Sequence, residues 1–150
     1  MAISQAMCTS FKVEILDGIH AFGTTVVRAS TTADTFKIAL YTSSATLDST
    51  TTAYSTSNEV PSTGGYSAGG NTLTVSQVPT STSTTAWLDF ADSTWSAATI
   101  TANGALIYNS SQGDKAVAVL AFGGDKTSTA GDFTIVFPAA NSTSAIIRIA

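Results

Sequence analysis

Charged residues are scarce in this chain. They make up 11% of its 150 residues, whereas a typical soluble protein has about 25%. Six residues are basic, and the formal net charge is −4. Because nucleic acids and anionic membranes are bound by clustered Lys and Arg side chains, we expect neither a nucleic acid nor a membrane as a partner.

Cysteine and histidine are nearly absent, since Cys8 and His20 are the only ones. One cysteine cannot form a disulfide within the chain, and one Cys with one His cannot complete a tetrahedral zinc site. A Ser-His-acid mechanism would depend on His20. On a common helix, Cys8 and His20 would be about 18 Å apart in rise and out of contact. These shortages predict a protein that is not an enzyme and that holds no cofactor and no metal.

Two groups of acidic residues leave other chemistry open. Asp114, Asp125 and Asp132 each follow a glycine in a predicted turn. They either cap those turns through their own backbone or contribute to a calcium site shared between subunits. Asp89 and Asp92 lie three residues apart, whereas a glycosidase needs two acids across a cleft. We favour the turn-capping interpretation and predict no catalytic residue.

Long apolar runs and targeting signals are also missing. No stretch approaches the ~20 apolar residues of a membrane-spanning helix. The opening MAISQAMCTSF has neither the basic segment nor the apolar run of a secretory signal. We therefore expect synthesis in the cytoplasm.

Hydroxyl side chains take the place of charges. Serine and threonine account for 46 of the 150 residues. Such a surface is soluble but has few of the lysines that usually protect the edges of sheets. The composition favours a chain that assembles with neighbours, and the alternative is a secreted β-domain with hydroxyl-rich loops.

The N-terminal residues predict a helix over 4–22. The apolar residues recur every four positions, as on one face of a helix, at Met7, Phe11, Ile15 and Ile19. Gly18 weakens this helix, and Gly23 stands where it would end.

After Gly23 the apolar period changes to two, which is typical of strands. We predict strands at Thr35–Thr42, Thr72–Val78, Ala86–Phe90, Thr99–Ala102, Ala105–Tyr108, Ala116–Phe122, Phe133–Phe137 and Ala145–Ile149. Ala116–Phe122 is apolar on both faces, which indicates a central strand. Asn103-Gly104 between two apolar runs predicts a hairpin turn. Ser43–Gly70 and Pro79–Thr85 are expected to be loops, the first of them long and nearly without core residues.

The fold class that follows is mainly β. We predict a β-sandwich or jelly-roll-like domain with one N-terminal helix. A single domain would cover 1–150, with the helix at 4–22 and the sandwich at 35–150.

The aromatic residues allow a second interpretation. A sugar-binding platform would use exposed rings, and the candidates are Trp87, Trp95, Tyr54, Tyr66 and Tyr108. Aromatic residues in a sandwich are more often part of its core. We favour the core and keep a carbohydrate- or receptor-binding module as the alternative.

Several stretches resemble small structural proteins of tailed bacteriophages. They are MAISQAMCTSFKVEILDGIHAF, DTFKIALYTSSATLDSTTTAYSTSNEV, GGYSAGGNTL, GALIYNSS and AVAVLAFGGDKT. The resemblance covers nearly the whole chain and implies a virion location. It implies either a capsid decoration (cement) protein, whose partner is the major capsid protein, or a tail-associated protein that binds other tail proteins. It supplies no catalytic residues.

An assembling protein needs apolar surfaces for its partners. We nominate three surfaces: the helix stripe with Met7, Phe11, Ile15 and Ile19, the long loop Ser43–Gly70, and the C-terminal strand with Ile147 and Ile149. The expected partners include further copies of the chain, and threefold positions on a capsid favour a closed trimer.

Overall fold

Segments rich in β-branched and aromatic residues pair into two antiparallel sheets in the computed structural model, which describes residues 2–16, 18–23 and 32–150. Its elements are β1 (Ala6–Met7), α1 (Thr9–Leu16), β2 (Phe36–Tyr41), β3 (Asn71–Thr72), β4 (Val75–Thr82), β5 (Thr85–Phe90), β6 (Ser93–Asn109), β7 (Lys115–Ile135) and β8 (Ile147–Ile149). One sheet has the order β1-β7-β6-β2-β3, and the other has the order β4-β5-β8.

The two sheets share one hydrophobic core. Phe36 on β2 lies 6.0 Å from Phe90 on β5, measured between ring centroids. Phe22 stacks on Phe36 at 4.1 Å and ties the N-terminal segment to the same core. The predicted mainly β, sandwich-like fold is confirmed. The predicted central strand is confirmed for its first part, because β7 lies between β1 and β6 as far as Val119, whereas residues 120–122 are half-buried and residues 120–121 pair with β6 alone.

The predicted helix is wrong at both ends. Residues before Cys8 run along the five-stranded sheet, where Met7 pairs with Ala118 of β7. The helix ends at Leu16 because Gly18 adopts a left-handed conformation, with φ of +70°, and donates its N–H to the Ile15 carbonyl. Gly18 is thus a stop signal rather than a weak point inside a longer helix. Asp17 lies outside the described residues.

The predicted Asn103-Gly104 hairpin is also wrong, because both residues lie inside β6. A Cβ on Gly104 would lie 2.7 Å from the Leu120 carbonyl oxygen and 2.9 Å from the Ile3 side chain. Glycine is needed there for close packing and not for a turn.

The chain reverses instead at a 3-10 turn over Ser110–Gln112, followed by Gly113 with φ of +65°. Asn109 caps this turn by accepting a hydrogen bond from the Ser111 N–H. The four short strands predicted between 99 and 137 are therefore two long ones, β6 and β7, joined in one hairpin. Most of the predicted polar loop Pro79–Thr85 likewise belongs to a hairpin, between β4 and β5, with Ser83 at its tip in a left-handed conformation.

The long segment Ser43–Gly70 contains core residues, contrary to the expectation from its sequence. Ala45, Leu47, Val60 and Tyr66 are all buried. The segment has little regular structure, so its polar backbone must be satisfied by specific contacts.

Glu59 supplies the main contact, because its carboxylate is buried and accepts three hydrogen bonds. The hydroxyl groups of Tyr54 and Tyr66 donate to it at 2.7 and 2.6 Å. The Gly69 N–H donates at 2.7 Å. The Tyr66 hydroxyl in turn accepts the Leu40 N–H of β2 at 3.0 Å. The segment is thereby fastened to the five-stranded sheet.

The other two tyrosines of the chain belong to the same cluster. Tyr41 donates to the Ser55 carbonyl at 2.6 Å, and Tyr108 donates to the Gly69 carbonyl at 2.8 Å. The ring of Tyr108 stacks on Tyr54 at 4.5 Å. All four tyrosines therefore hold the segment against β2 and β6.

We predict that Gly70→Ala destabilises the protein by about 3 kcal/mol or more. The new methyl group would overlap the Ile38 carbonyl oxygen and lie 2.9 Å from the Ala39 Cα. The control is Gly113→Ala, which has nearly the same positive φ but no atom within 4 Å of the new Cβ. It should cost only the backbone strain, about 1 kcal/mol. Urea unfolding measures both, and equal losses would refute the close-approach explanation.

The tyrosine cluster predicts cooperative unfolding in alkali. Burial raises the pKa of all four hydroxyl groups, that of Tyr108 to about 12. Unfolded tyrosines ionise near pH 10. The contribution of the four buried hydroxyl groups to the free energy of unfolding is therefore fully present below that pH and is lost as the pH rises above it. The loss is up to about 1.4 kcal/mol per pH unit for each tyrosine.

Tyrosinate absorbance and circular dichroism, followed together, check this prediction. The folded protein should show little tyrosinate near pH 11, and the absorbance should then rise together with unfolding. Gradual ionisation around pH 10 in a folded protein would contradict it.

Candidate functional site

An apolar groove of about 220 Å³ lies between the N-terminal helix and the three-stranded sheet. Most of its lining comes from α1, β5 and β8, and the rest comes from Pro79 of β4 and from His20 and Phe22 after α1. The three main walls include Phe11 and Ile15 of α1, Trp87 and Leu88 of β5, and Ile147 and Ile149 of β8. None of the residues that line it is an Asp, Glu, Lys or Arg. The groove suits an apolar segment rather than a charged ligand.

His20 lines the groove and is the most polar residue in its lining. Its ring packs edge-on against Phe11, with centroids 4.8 Å apart. The buried Asn109 side chain lies 3.0 Å from His20 Nδ1 and donates to Asp34 Oδ2 at 2.8 Å. The Ala21 N–H donates to the same Asp34 oxygen at 3.0 Å. This network holds the wall of the groove against the start of β2 and the end of β6.

The structure brings four of the six nominated assembly residues to this groove. Phe11 and Ile147 are buried, at 0% and 3% exposure, so they shape the walls. Ile15 is half-buried, and Ile149 is 50% exposed at the rim. Met7 is half-buried in β1, and Ile19 is half-buried next to His20.

The proposed sugar platform does not assemble. Trp95, Tyr66 and Tyr108 are buried, and Trp95 packs against the rings of Tyr66 and Phe133. Tyr54 is half-buried and bonded to Glu59. Trp87 lines the apolar groove, and none of the other four candidate aromatic residues does.

The acidic candidates are dispersed over the fold. Asp125 accepts from the Asn103 amide at 2.8 Å, and Asp132 accepts from the Ala97 N–H at 3.2 Å. Both bonds connect β6 with β7 and are not local turn caps. In the described part of the chain, no three His, Cys, Asp or Glu side chains come together in a way that could hold a metal ion.

Asp89 and Asp92 have different surroundings. The Asp89 side chain is fully buried, whereas Asp92 is exposed and accepts the Phe137 N–H at 2.8 Å.

The separation expected between Cys8 and His20 assumed one helix that contains both residues, but α1 contains neither. Cys8 precedes α1 and is fully buried, and His20 follows its end. The 18 Å separation of a continuous helix therefore does not apply.

Sequence reasoning missed part of the groove lining: His20, Phe22, Pro79, Ala86, Trp87 and Leu88. The first two were placed in the helix, Pro79 in a loop and the rest in a strand. No local pattern connects these segments, because they meet only when the second sheet packs against the N-terminal residues.

No family model, curated protein or solved structure matches this chain. Within the described residues, no helix has the length and apolar character needed to cross a bilayer.

We predict that the two tryptophans differ sharply in accessibility. Trp87→Phe leaves Trp95, which is 5% exposed, and should give blue-shifted emission that acrylamide quenches poorly. Trp95→Phe leaves the half-buried Trp87 at the groove and should be quenched more readily. Strong quenching of Trp95 in the folded protein would contradict the buried core and reopen the sugar-platform interpretation.

Proposed function

We propose that this chain is a structural protein of a tailed-bacteriophage particle. Within that class we propose a capsid decoration (cement) protein, which binds the outer head shell in many copies and stabilises it. The proposal assigns the chain no reaction. It is supported by the sequence resemblance, by the scarcity of charge and by the apolar groove.

The groove is the observation that carries this proposal. Protein interfaces have apolar cores depleted of charged residues, and the groove lining has that composition. Ile149 at its rim is one of two large apolar side chains that are exposed among the described residues. The occupant we propose is an apolar segment of the major capsid protein, because a cement protein must bury surface against the shell.

We further propose that the copies form a closed homo-oligomer. A trimer matches the threefold positions of a capsid. Together, the contacts with the shell and with other copies need to bury about 1,000 Å² or more to be stable. The groove would then be the centre of a larger contact, with the hydroxyl-rich strands at its polar periphery.

The test compares two substitutions of exposed apolar residues. Ile149→Lys places a charge at the rim of the groove, whereas Val136→Lys places the same charge on a side chain that is 73% exposed outside it. Purified protein is added to particles of the encoding phage that lack it, and bound protein is measured by co-sedimentation. Ile149→Lys should weaken binding by about tenfold or more, as for an interface hot spot, and Val136→Lys should bind normally.

Cryo-electron microscopy of the same particles locates the protein. Density on the head shell supports decoration. Density on the tail, or none on the head, refutes the decoration proposal and favours a tail-associated protein. Normal shell binding by Ile149→Lys would instead refute the groove as the contact. Light scattering of the isolated protein gives its mass, and a monomer at high concentration would refute the homo-oligomer.

A further inference from the structure

Asp89 is a fully buried carboxyl group in the middle of the three-stranded sheet. Its Oδ1 accepts the Phe90 N–H at 2.9 Å. Its Oδ2 is buried and has no hydrogen-bond partner among the described residues. A buried, ionised oxygen without a donor is costly, because it has lost water and gained nothing in return.

The neighbour of Asp89 on one side is the C-terminal strand. The adjacent Leu88 pairs with Ile147, and the paired residues of β5 and β8 number only three on each strand. The Ile146 N–H is close enough to Asp89 to favour its charged form. On the other side, Asp89 pairs with Gln77 of β4, whose amide donates to the Val78 carbonyl. β8 is a short edge strand, so its opening is the least costly way to return water to Asp89.

The charged groups around Asp89 do not compensate it. Asp92 carries the same sign and disfavours its ionisation. Arg148 of β8 is exposed, and its guanidinium donates to the Thr143 carbonyl.

We propose that Asp89 is a pH-sensitive lock on the C-terminal strand: β8 stays docked while the Asp89 carboxyl is protonated and loosens when it ionises. Since Ile147 and Ile149 form one wall of the apolar groove, the lock also controls the shape of that groove. This inference concerns the isolated protein and does not depend on the proposed function.

The direction follows from the difference between docked and opened states. Burial is the largest effect and raises the pKa of the Asp89 carboxyl in the docked state, and the N–H groups of Phe90 and Ile146 offset this only in part. Opening of β8 would hydrate the group and return its pKa towards the ordinary value near 3.9. Docking is therefore strongest below the ordinary pKa and weakens as the pH rises through the raised one. If the pKa of the Asp89 carboxyl differs by one between the docked and opened states, the equilibrium constant for opening β8 changes about tenfold.

The test is hydrogen exchange of the β8 amides between about pH 4 and pH 8, corrected for intrinsic exchange rates. In the unmodified protein, protection of Ile147 and Ile149 should fall severalfold as the pH rises, while the protection of β6 stays level. Asp89→Asn keeps an acceptor for the Phe90 N–H but cannot ionise, so its β8 protection should not change with pH. Asp92→Asn removes a charge from the exposed neighbour and should retain the pH dependence.

A second measurement needs no variant. The carboxyl carbon of Asp89, followed by NMR, should titrate above the ordinary range, and β8 amide signals should shift with the same midpoint. The lock is refuted if Asp89 titrates normally, if β8 protection does not change with pH in the unmodified protein, or if Asp89→Asn retains the same change. Because none of these experiments uses a particle, their failure leaves the decoration proposal standing, and failure on the particle leaves the lock standing.

Discussion

The buried carboxylate of Glu59 is the constraint on which much of this architecture depends. It lies in a segment of almost thirty residues that has little regular secondary structure, so the polar backbone there has no ladder to satisfy it. Two tyrosine hydroxyls and one N–H donate to the carboxylate. The Tyr66 hydroxyl also accepts the Leu40 N–H of β2 and so links the segment to the sheet. A charged acceptor makes stronger bonds than a neutral one. One acidic residue thereby turns a loop into part of the core.

The scarcity of charge has a counterpart at the edge of the larger sheet. Beyond Val119, β7 pairs with β6 alone among the described residues. Its regular edge is broken where the register shifts, at Phe122–Asp125 and near Ala130. Bulges of this kind prevent open-ended strand addition. Protection of this edge therefore comes from backbone geometry more than from lysines. The composition alone did not reveal these bulges. An apolar groove, in contrast, is left open at the other sheet.

The accuracy of the sequence predictions depended on the range of the interactions involved. Alternating apolar residues located most strands, and the first part of the run at Ala116–Phe122 correctly indicated a central strand, because these patterns are local. The helix and the Asn103-Gly104 hairpin were wrong because local propensity lost to pairing: Met7 gains strand partners on β7, and Gly104 is required by close packing. The groove was only half foreseen, since its lining residues come from elements distant in the chain.

By itself, the sequence determined the mainly β class, most of the apolar stretches that enter the core and the scarcity of charge. These follow from composition and from short-range periodicity, which act in any compact state of the chain. Only the tertiary structure decided where Glu59, Asp89 and the groove residues lie. Desolvation and hydrogen-bond partners depend on neighbours brought together by folding. The carboxyl groups of Glu59 and Asp89 are chemically alike, yet Glu59 received three donors and Asp89 kept one oxygen without a donor.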